Sequence, residues 1–468
     1  MAIIGRSEFI GTVLIAGLGV SGLAVKDLLE KEGVKCETFD EKGGAHFSDP
    51  GQVDWENITT VVVSPGFPPA SKLMRAIEEN HKPIMSEVEF AWKTRPRDKE
   101  GRSIPWVGVT GTNGKTTTVK MITKIFKECG ICVAEGGNTG FPLTRACRKP
   151  GAQVVVVELS SSQLHFTHSL ALEVAVWTNF AQDHLDWHSS MEEYRRDKAK
   201  VFENAKRAVI YNASDPVTTE AAKSANVNMG CIEVGFSLKR PAPAQVGIDD
   251  GWIFDNAFAY GRICRQDSLS GLKVSGKVPL HRLENALAAC AATLAMGIKP
   301  EEVAKGLSKF RPEAHRLEDV ATVEKEGGRV EFIDDSKATN PSSALVALAS
   351  FEGRAIVWII GGEAKNCDMK PLLEKARGKV KEAILIGKDR SEFAKALSEA
   401  KIPFKEVKEE EGSSAMKKAV DLAYKAAEPG DVMLLAPACA SKDQFLNMAE
   451  RGEKFREFAK ALKGDLSA

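Results

Sequence analysis

Apolar residues along this chain fall into short unbroken runs, and the stretches between them repeat at helical spacing. The first run, Val13-Leu14-Ile15-Ala16, leads into Gly17-Leu18-Gly19-Val20-Ser21-Gly22 and a helix-period segment through Leu29. A second run ends in Phe39-Asp40-Glu41, a third covers 60–63 before Ser64-Pro65-Gly66, and a fourth lies near Ile84. Strand-length runs alternating with helical segments predict βαβ units and hence a parallel sheet. The polar, proline-containing stretch 93–101 reads as a linker.

The pattern then restarts twice. Runs at 104–109, 154–157 and 174–177 predict strands, and Val119, Ile122, Phe126 and Cys129 mark a helix after the first. Residues 232–280 alternate short apolar stretches with turn residues, which predicts a small antiparallel insert, and a helix is expected over 284–296. Strands are expected again near 330–333, 356–360, 383–386 and 432–435. Asn340-Pro341 carries an N-cap followed by proline at the first helical position, so a helix begins at 341. The expected architecture is α/β with three domains, 1–97, 98–311 and 312–468. Each is a mainly parallel sheet with flanking helices.

Composition narrows the function classes. The 468 residues carry 64 basic and 64 acidic side chains, a formal net charge of zero. A general nucleic-acid or membrane-surface binder needs a basic excess, so neither is expected. No apolar run approaches the ~18–20 residues of a membrane span, and Arg6 and Glu8 interrupt any signal-like start. Nine scattered cysteines argue against a disulfide framework and for a reducing, cytoplasmic setting. The pair Cys129 and Cys132 reads as packing.

The chemistry concentrates in Thr110-Gly111-Thr112-Asn113-Gly114-Lys115-Thr116-Thr117-Thr118, between a strand and a helix. Glycines let backbone N–H groups close on phosphate oxygens, and the helix N-terminus adds positive potential. Lys115 supplies charge near the outer phosphates, and the Thr116 hydroxyl suits magnesium. A strict P-loop has glycine where Val109 stands. Glu158 at a strand end and His184 are further magnesium candidates. Asp334-Asp335-Ser336-Lys337 and His315-Arg316 offer groups for a nucleotide, and Pro437 to Phe445 suits a carboxylate-sized anion. Gly17 to Gly22, with Asp40 about twenty residues on, also fits a dinucleotide-binding loop.

These motifs in this order resemble the Mur ligases, within the superfamily that includes the folylpolyglutamate ligases. TGTNGKTT carries the superfamily likeness. Residues 158–164 (ELSSSQL), Ser64-Pro65-Gly66 and Ala438-Cys439-Ala440-Ser441 with Asp443-Gln444-Phe445 resemble the D-glutamate-adding branch. The resemblance implies Rossmann-like first and third domains around a P-loop-like ATPase domain. It implies an ATP-dependent, ADP-forming ligase that adds D-glutamate to UDP-N-acetylmuramoyl-L-alanine through an acyl phosphate, in peptidoglycan precursor synthesis. It implies a monomer without nucleic-acid partners.

By the same resemblance, Lys115, His184, Lys198, Arg316 and Lys337 are catalytic. ATP meets Gly111, Thr112, Asn113, Gly114, Lys115, Thr116, Thr117, Asn285, Arg316 and Asp335. One magnesium takes Thr116 and Glu158. A second takes His184 and a carbamate on Lys198, whose neutral amine Arg195 and Arg196 would favour by repulsion. The UDP-linked substrate meets Gly17, Gly19, Val20, Ser21, Asp40, Glu41, Ser64, Asn138, Ser160 and Gln163. The incoming glutamate meets Thr339, Lys365, Ser441 and Phe445. Departures from the family pattern stand at Arg282, Lys442 and Met448. Two alternatives stay open: addition of L-glutamate or another Mur-type acceptor, and a nicotinamide-dependent oxidoreductase, which leaves the second phosphate loop unexplained.

Overall fold

A computed structural model describes residues 2–4, 7–185, 187–363, 369–388 and 390–465. The chain divides into two compact units: Met1–Ser270 with Arg282–Phe310, and Gly271–His281 with Arg311–Ala468. The first unit holds two large sheets. The smaller has four parallel strands in the order Cys36–Phe39, Thr12–Ala16, Ile58–Val63, Ile84–Ser86. Every residue of Thr12–Ala16 is buried, which is why it reads as an unbroken apolar run.

The larger sheet has nine strands. From Val133–Gly137 inward the order is Val154–Glu158, Trp106–Thr110, Val174–Trp177, Ala208–Asn212, Ile232–Phe236 and Gln245–Asp249, all parallel. Trp252–Asp255 and Gly261–Arg265 then continue it antiparallel. The antiparallel portion expected over 232–280 is thus an extension of the central sheet's edge. Leu280–Ala295 forms the helix expected after it.

Two buried acids tie the small sheet's last helix, Glu87–Thr94, to the larger sheet's connections. Glu87 Oε1 accepts from the Thr144 backbone N–H and hydroxyl, both at 2.6 Å. Glu89 Oε2 accepts from the His168 and Ser169 N–H groups at 2.9 Å. The stretch read as a linker is anchored where it leaves that helix, because the Arg95 guanidinium lies 3.3 Å over the Trp92 ring.

The second unit holds six strands in the order Glu318–Lys325, Gly328–Asp334, Val432–Leu435, Ile356–Gly361, Val380–Ile386, Phe404–Glu406. The first pair is antiparallel and the rest are parallel. The two outermost strands were not expected from the apolar pattern. Glu318–Lys325 buries only Val323, and Phe404–Glu406 buries no residue. Edge strands of this kind keep charge outward and lack an apolar run. Asn340 caps Pro341–Ala349 as expected, its side chain accepting from the Ser343 N–H at 2.8 Å. Among the described residues no helix is long and apolar enough to cross a membrane.

Candidate active site

The phosphate loop sits between strand Trp106–Thr110 and helix Lys115–Glu128. Two of its glycines are required by shape. Gly111 (φ 151°) would place a Cβ 2.0 Å from Thr178 Oγ1, and Gly114 (φ 82°) one 2.2 Å from Asn285 Oδ1. The residues after strand Val174–Trp177 staple the loop: Thr178 Oγ1 donates to the Asn113 carbonyl at 2.7 Å, and Asn179 Oδ1 accepts the Asn113 N–H at 2.8 Å. Thr112 Oγ1 lies 3.2 Å from the Tyr194 hydroxyl. Lys115 Nζ donates to the Gly111 and Thr112 carbonyls at 2.7 and 2.9 Å. Asn285 packs under the loop, 3.4 Å from Thr118 Oγ1. Thr116 and Thr117 occupy the helix's first turn, and no side chain caps that N-terminus.

Lys198 is 1% exposed, a position no surface lysine takes. Its Nζ donates to the Gly111 carbonyl at 2.9 Å and stands 4.8 Å over the Tyr194 ring. Burial first, then the Lys115 ammonium, holds its amine well below the usual lysine range, while Asp183 and Glu158 pull the other way. The expected repulsion from Arg195 and Arg196 is not the cause. Arg195 is engaged with Glu192, its Nη2 at 2.6 Å from Glu192 Oε1.

Glu158 is buried at the end of its strand. Oε1 accepts from Asn138 Nδ2 at 2.9 Å and Oε2 from the Thr139 hydroxyl at 2.7 Å. Both partners are neutral, so the carboxylate's charge is available to a cation. His184 stands apart in exposure. Its φ is 54°, its side chain is 53% exposed, and Nε2 lies 3.6 Å from Asp183 Oδ2. Ser160 and Gln163 form a capping box on the short helix Ser161–His165, with the Ser160 N–H donating to Gln163 Oε1 at 3.0 Å.

At the small sheet, Gly22 is demanded by packing: a Cβ there would lie 1.8 Å from the Gly17 carbonyl oxygen. Gly19 begins helix Val20–Lys31 with no side-chain cap, and Val20 is 61% exposed. An open helix N-terminus of this kind receives anions. Asp40 shapes this loop from within, Oδ2 accepting the Leu18 N–H at 2.9 Å and Oδ1 the Lys42 N–H at 3.0 Å. Those two bonds hold its carboxyl below the usual range. Glu41 is exposed beside it. The Ser64 hydroxyl donates to the Ala16 carbonyl at 2.8 Å.

In the second unit, Glu313 gathers two of the expected cations. Its Oε2 lies 2.8 Å from Lys337 Nζ and 3.7 Å from Arg316 Nε. Asp335 Oδ1 accepts the Leu317 N–H at 3.1 Å, and the His315 carbonyl accepts the Lys337 N–H at 3.1 Å. Thr339 is exposed, and Ser441 is buried with its carbonyl accepting the Phe445 N–H at 2.8 Å. Phe445 itself packs in an apolar core with Met416, Leu435 and Phe455. Lys365 lies outside the described residues. Of the departures, Arg282 is buried and Lys442 is exposed.

Several contributors escaped the motif reading. Tyr194 closes over Lys198 and Thr112. Arg451, fully buried, donates to the Ser336 and Cys439 carbonyls at 2.9 and 3.1 Å. Neither residue stands in a recognisable pattern, since each acts through a fold-level neighbour.

Two families match the chain: the Mur ligase middle domain over residues 109–293, and the Mur ligase glutamate ligase domain over 315–439. A UDP-N-acetylmuramoylalanine–D-glutamate ligase of Bifidobacterium longum (strain DJO10A) is 40% identical over 466 residues, covering 96% of this chain and 97% of the relative. The enzyme of that name from Streptomyces coelicolor is 37% identical, over 97% of this chain and 99% of its own. Among solved structures, a pseudomurein peptide ligase type C from Methanothermus fervidus superposes with a TM-score of 0.58 at 18% identity, covering 98% of this chain and 100% of that one. A MurF ligase from Thermotoga maritima, solved with ADP, gives 0.56 at 16%, over 99% and 97%. Near full-length relatives at this identity, together with the two domain matches, establish that the chain belongs to the Mur ligase family.

Proposed function

We propose that this chain is an ATP-dependent, ADP-forming ligase that joins D-glutamate to UDP-N-acetylmuramoyl-L-alanine, acting as a monomer in the cytoplasm. The chemistry rests foremost on Lys198, a buried lysine whose pKa is pushed down by burial and by the neighbouring Lys115 of the glycine-rich loop. The choice of acceptor rests on the near full-length relatives that carry this activity in their names. Residues 1–97 take the UDP-linked substrate, 98–311 take ATP and 312–468 take the amino acid.

In this reading the loop N–H groups from Gly111 to Thr117 surround the ATP phosphates, and the Lys115 ammonium exchanges its loop carbonyls for phosphate oxygens. Thr116 and Glu158 would hold one magnesium, and His184 with a carbamate on Lys198 would hold a second. The donors fit a hard cation: they are mostly oxygens, and the buried Glu158 carboxylate carries charge that neutral partners leave unspent. Bound magnesium would neutralise charge on the transferring phosphoryl group. The neutral Lys198 amine attacks carbon dioxide through its lone pair and gives up a proton, leaving a carbamate anion.

The substrate carboxylate attacks the γ-phosphorus and ADP leaves. The amine of glutamate then attacks the acyl phosphate carbon, and phosphate departs with loss of one proton. Gly17, Gly19, Val20, Ser21, Asp40, Glu41 and Ser64 serve the UDP end, and Asn138, Ser160 and Gln163 the muramoyl end. Asn285, Arg316 and Asp335 serve the nucleotide. Lys337 steadies the transferring phosphate, and Thr339, Lys365, Ser441 and Phe445 form the acceptor pocket.

An acceptor screen tests the proposal. Phosphate release from ATP is expected only when the UDP-linked substrate and D-glutamate are both present. Release with L-glutamate, lysine or diaminopimelate in place of D-glutamate would overturn the assignment of the acceptor.

A further inference from the structure

Asp197 directly precedes Lys198 on helix Met191–Ala199, and its side chain is fully buried. Consecutive helical residues point about 100° apart. One therefore faces the phosphate loop while the other faces a different set of partners. Asp197 Oδ2 lies 2.6 Å from His165 Nδ1 and 3.4 Å from His188 Nδ1, and Oδ1 lies 3.2 Å from Lys200 Nζ. His188, also buried, continues the bridge, with Nε2 2.9 Å from the Ser161 hydroxyl.

The partners are not scattered through the fold. Ser161 stands three residues beyond Glu158, and His188 four beyond His184, whose carbonyl accepts the His188 N–H at 3.0 Å. The segments that carry Glu158, His184 and Lys198 thus each contribute one member to a single buried joint, while Thr116 stands on a helix outside it. A buried carboxylate needs several hydrogen-bond or ionic partners whatever its role, so it is the identity of the segments joined that marks this one. Here a carboxylate meets two imidazoles and an ammonium, and it joins these three segments in particular.

We propose that Asp197 is a positioning residue whose bridge to His165, His188 and Ser161 fixes Glu158, His184 and Lys198 in a common geometry for magnesium. The proposal rests on the reading of Lys198 and Glu158 given above. Asp197 is not among the residues proposed above to hold magnesium. It acts through the backbone it shares with Lys198 and through the segments its partners belong to.

Asp197→Asn keeps the shape and removes the charge that holds the joint. With a non-hydrolysable ATP analogue present, Mn²⁺ binding followed by electron paramagnetic resonance should weaken by roughly 10-fold or more. The Lys198 carbamate signal from ¹³C-bicarbonate should shrink in nuclear magnetic resonance spectra. KM for D-glutamate should stay near wild type. Ser161→Ala, which removes only the hydroxyl at the far end of the bridge, should move both readouts less and in the same direction. It carries the same outcomes should Asp197→Asn fail to fold. Wild-type Mn²⁺ affinity with a full carbamate signal would overturn the proposal. Lys198→Ala separates the two levels. If it is inactive and lacks the signal while the Asp197 and Ser161 variants bind Mn²⁺ normally, the positioning role alone falls. If it is fully active, the reading beneath falls too.

Discussion

Lys115 and Lys198 donate to the same acceptor, the carbonyl of Gly111, at 2.7 and 2.9 Å. Two ammonium groups on one oxygen lie within the roughly 4–6 Å over which a like charge displaces a pKa. Lys198 is the more deeply buried, so it is the one whose pKa is pushed down. A neutral lysine amine is what carbon dioxide needs. Lys198→Ala is expected to lose activity on the order of 100-fold or more, and formate or acetate should restore part of it by standing in for the carbamate. Steady-state phosphate release checks this, and full activity without added carboxylate would exclude the carbamate.

Gly114 makes a sharper test of the proposed phosphate loop than Lys115, because it has no side chain and contributes through backbone shape alone. At φ 82° an alanine costs about 1–3 kcal/mol in backbone strain, and its Cβ would lie 2.2 Å from Asn285 Oδ1. The loop must open to relieve that contact. Gly114→Ala should therefore weaken ATP binding at least roughly tenfold, that strain being worth about one to two decades in affinity. Gly33→Ala, at φ 69° with open space around it, should leave nucleotide affinity unchanged. Calorimetric titration of an ATP analogue separates the two.

Glu313 holds Lys337 at 2.8 Å and reaches towards Arg316, so it competes with any phosphate for both cations. Glu313→Gln removes that competition. KM for ATP is expected to fall a few-fold. Stability should change by no more than about 1 kcal/mol, since the pair is partly exposed. A raised KM would instead make Glu313 an orienting partner of the two cations.

The strands that were legible from the apolar pattern are those with both faces covered. Thr12–Ala16, Trp106–Thr110, Val154–Glu158 and Val432–Leu435 are buried at every position. The edge strands Glu318–Lys325 and Phe404–Glu406 were invisible because an edge alternates or exposes its residues. In the site, glycines and the loop lysine announce themselves by motif, since their chemistry depends on local backbone shape. Thr178 and Asn179 are legible by position, at the carboxyl end of strand Val174–Trp177, whereas Tyr194 is not, because it reaches the loop from a separate helix. The cause of Lys198's depressed pKa was misread for the same reason. Arg195 and Arg196 are near in sequence, whereas the desolvation and Lys115 that act on it are near only in the fold.

His315 gives the second unit a pH dependence whose sign follows from its partner. Its Nδ1 lies 2.6 Å from the buried Asp334, and that hydrogen bond lifts the imidazole above its ordinary value of 6.5. Glu453 pushes the same way, and burial and Arg456 oppose it. A group with a raised folded pKa contributes stability that is complete below its unfolded value and lost as pH rises through the folded one. His315→Gln should cost most below about pH 6.5, with the gap to wild type narrowing above it. Urea unfolding between about pH 5.5 and 8.5 measures that gap, and a gap that widens with pH would contradict the assignment.

Arg451 tests how far the proposed acceptor end of the second unit depends on one buried cation. Its guanidinium donates to the Ser336 hydroxyl at 3.0 Å, the Ser336 carbonyl at 2.9 Å and the Cys439 carbonyl at 3.1 Å. It thereby joins the segment carrying Asp335 and Lys337 to the one carrying Ser441. Burial pulls its pKa down to about 10, still far above neutrality, so the charge persists and its hydrogen bonds are charge-assisted. Arg451→Met fills the space but removes these charge-assisted hydrogen bonds. The expected loss is about 3 kcal/mol, seen as a lower-melting transition for this unit. KM for D-glutamate should rise more than KM for ATP, because the 439–441 carbonyls lose their fixed position beside Ser441. Equal rises in the two constants would assign Arg451 to stability alone.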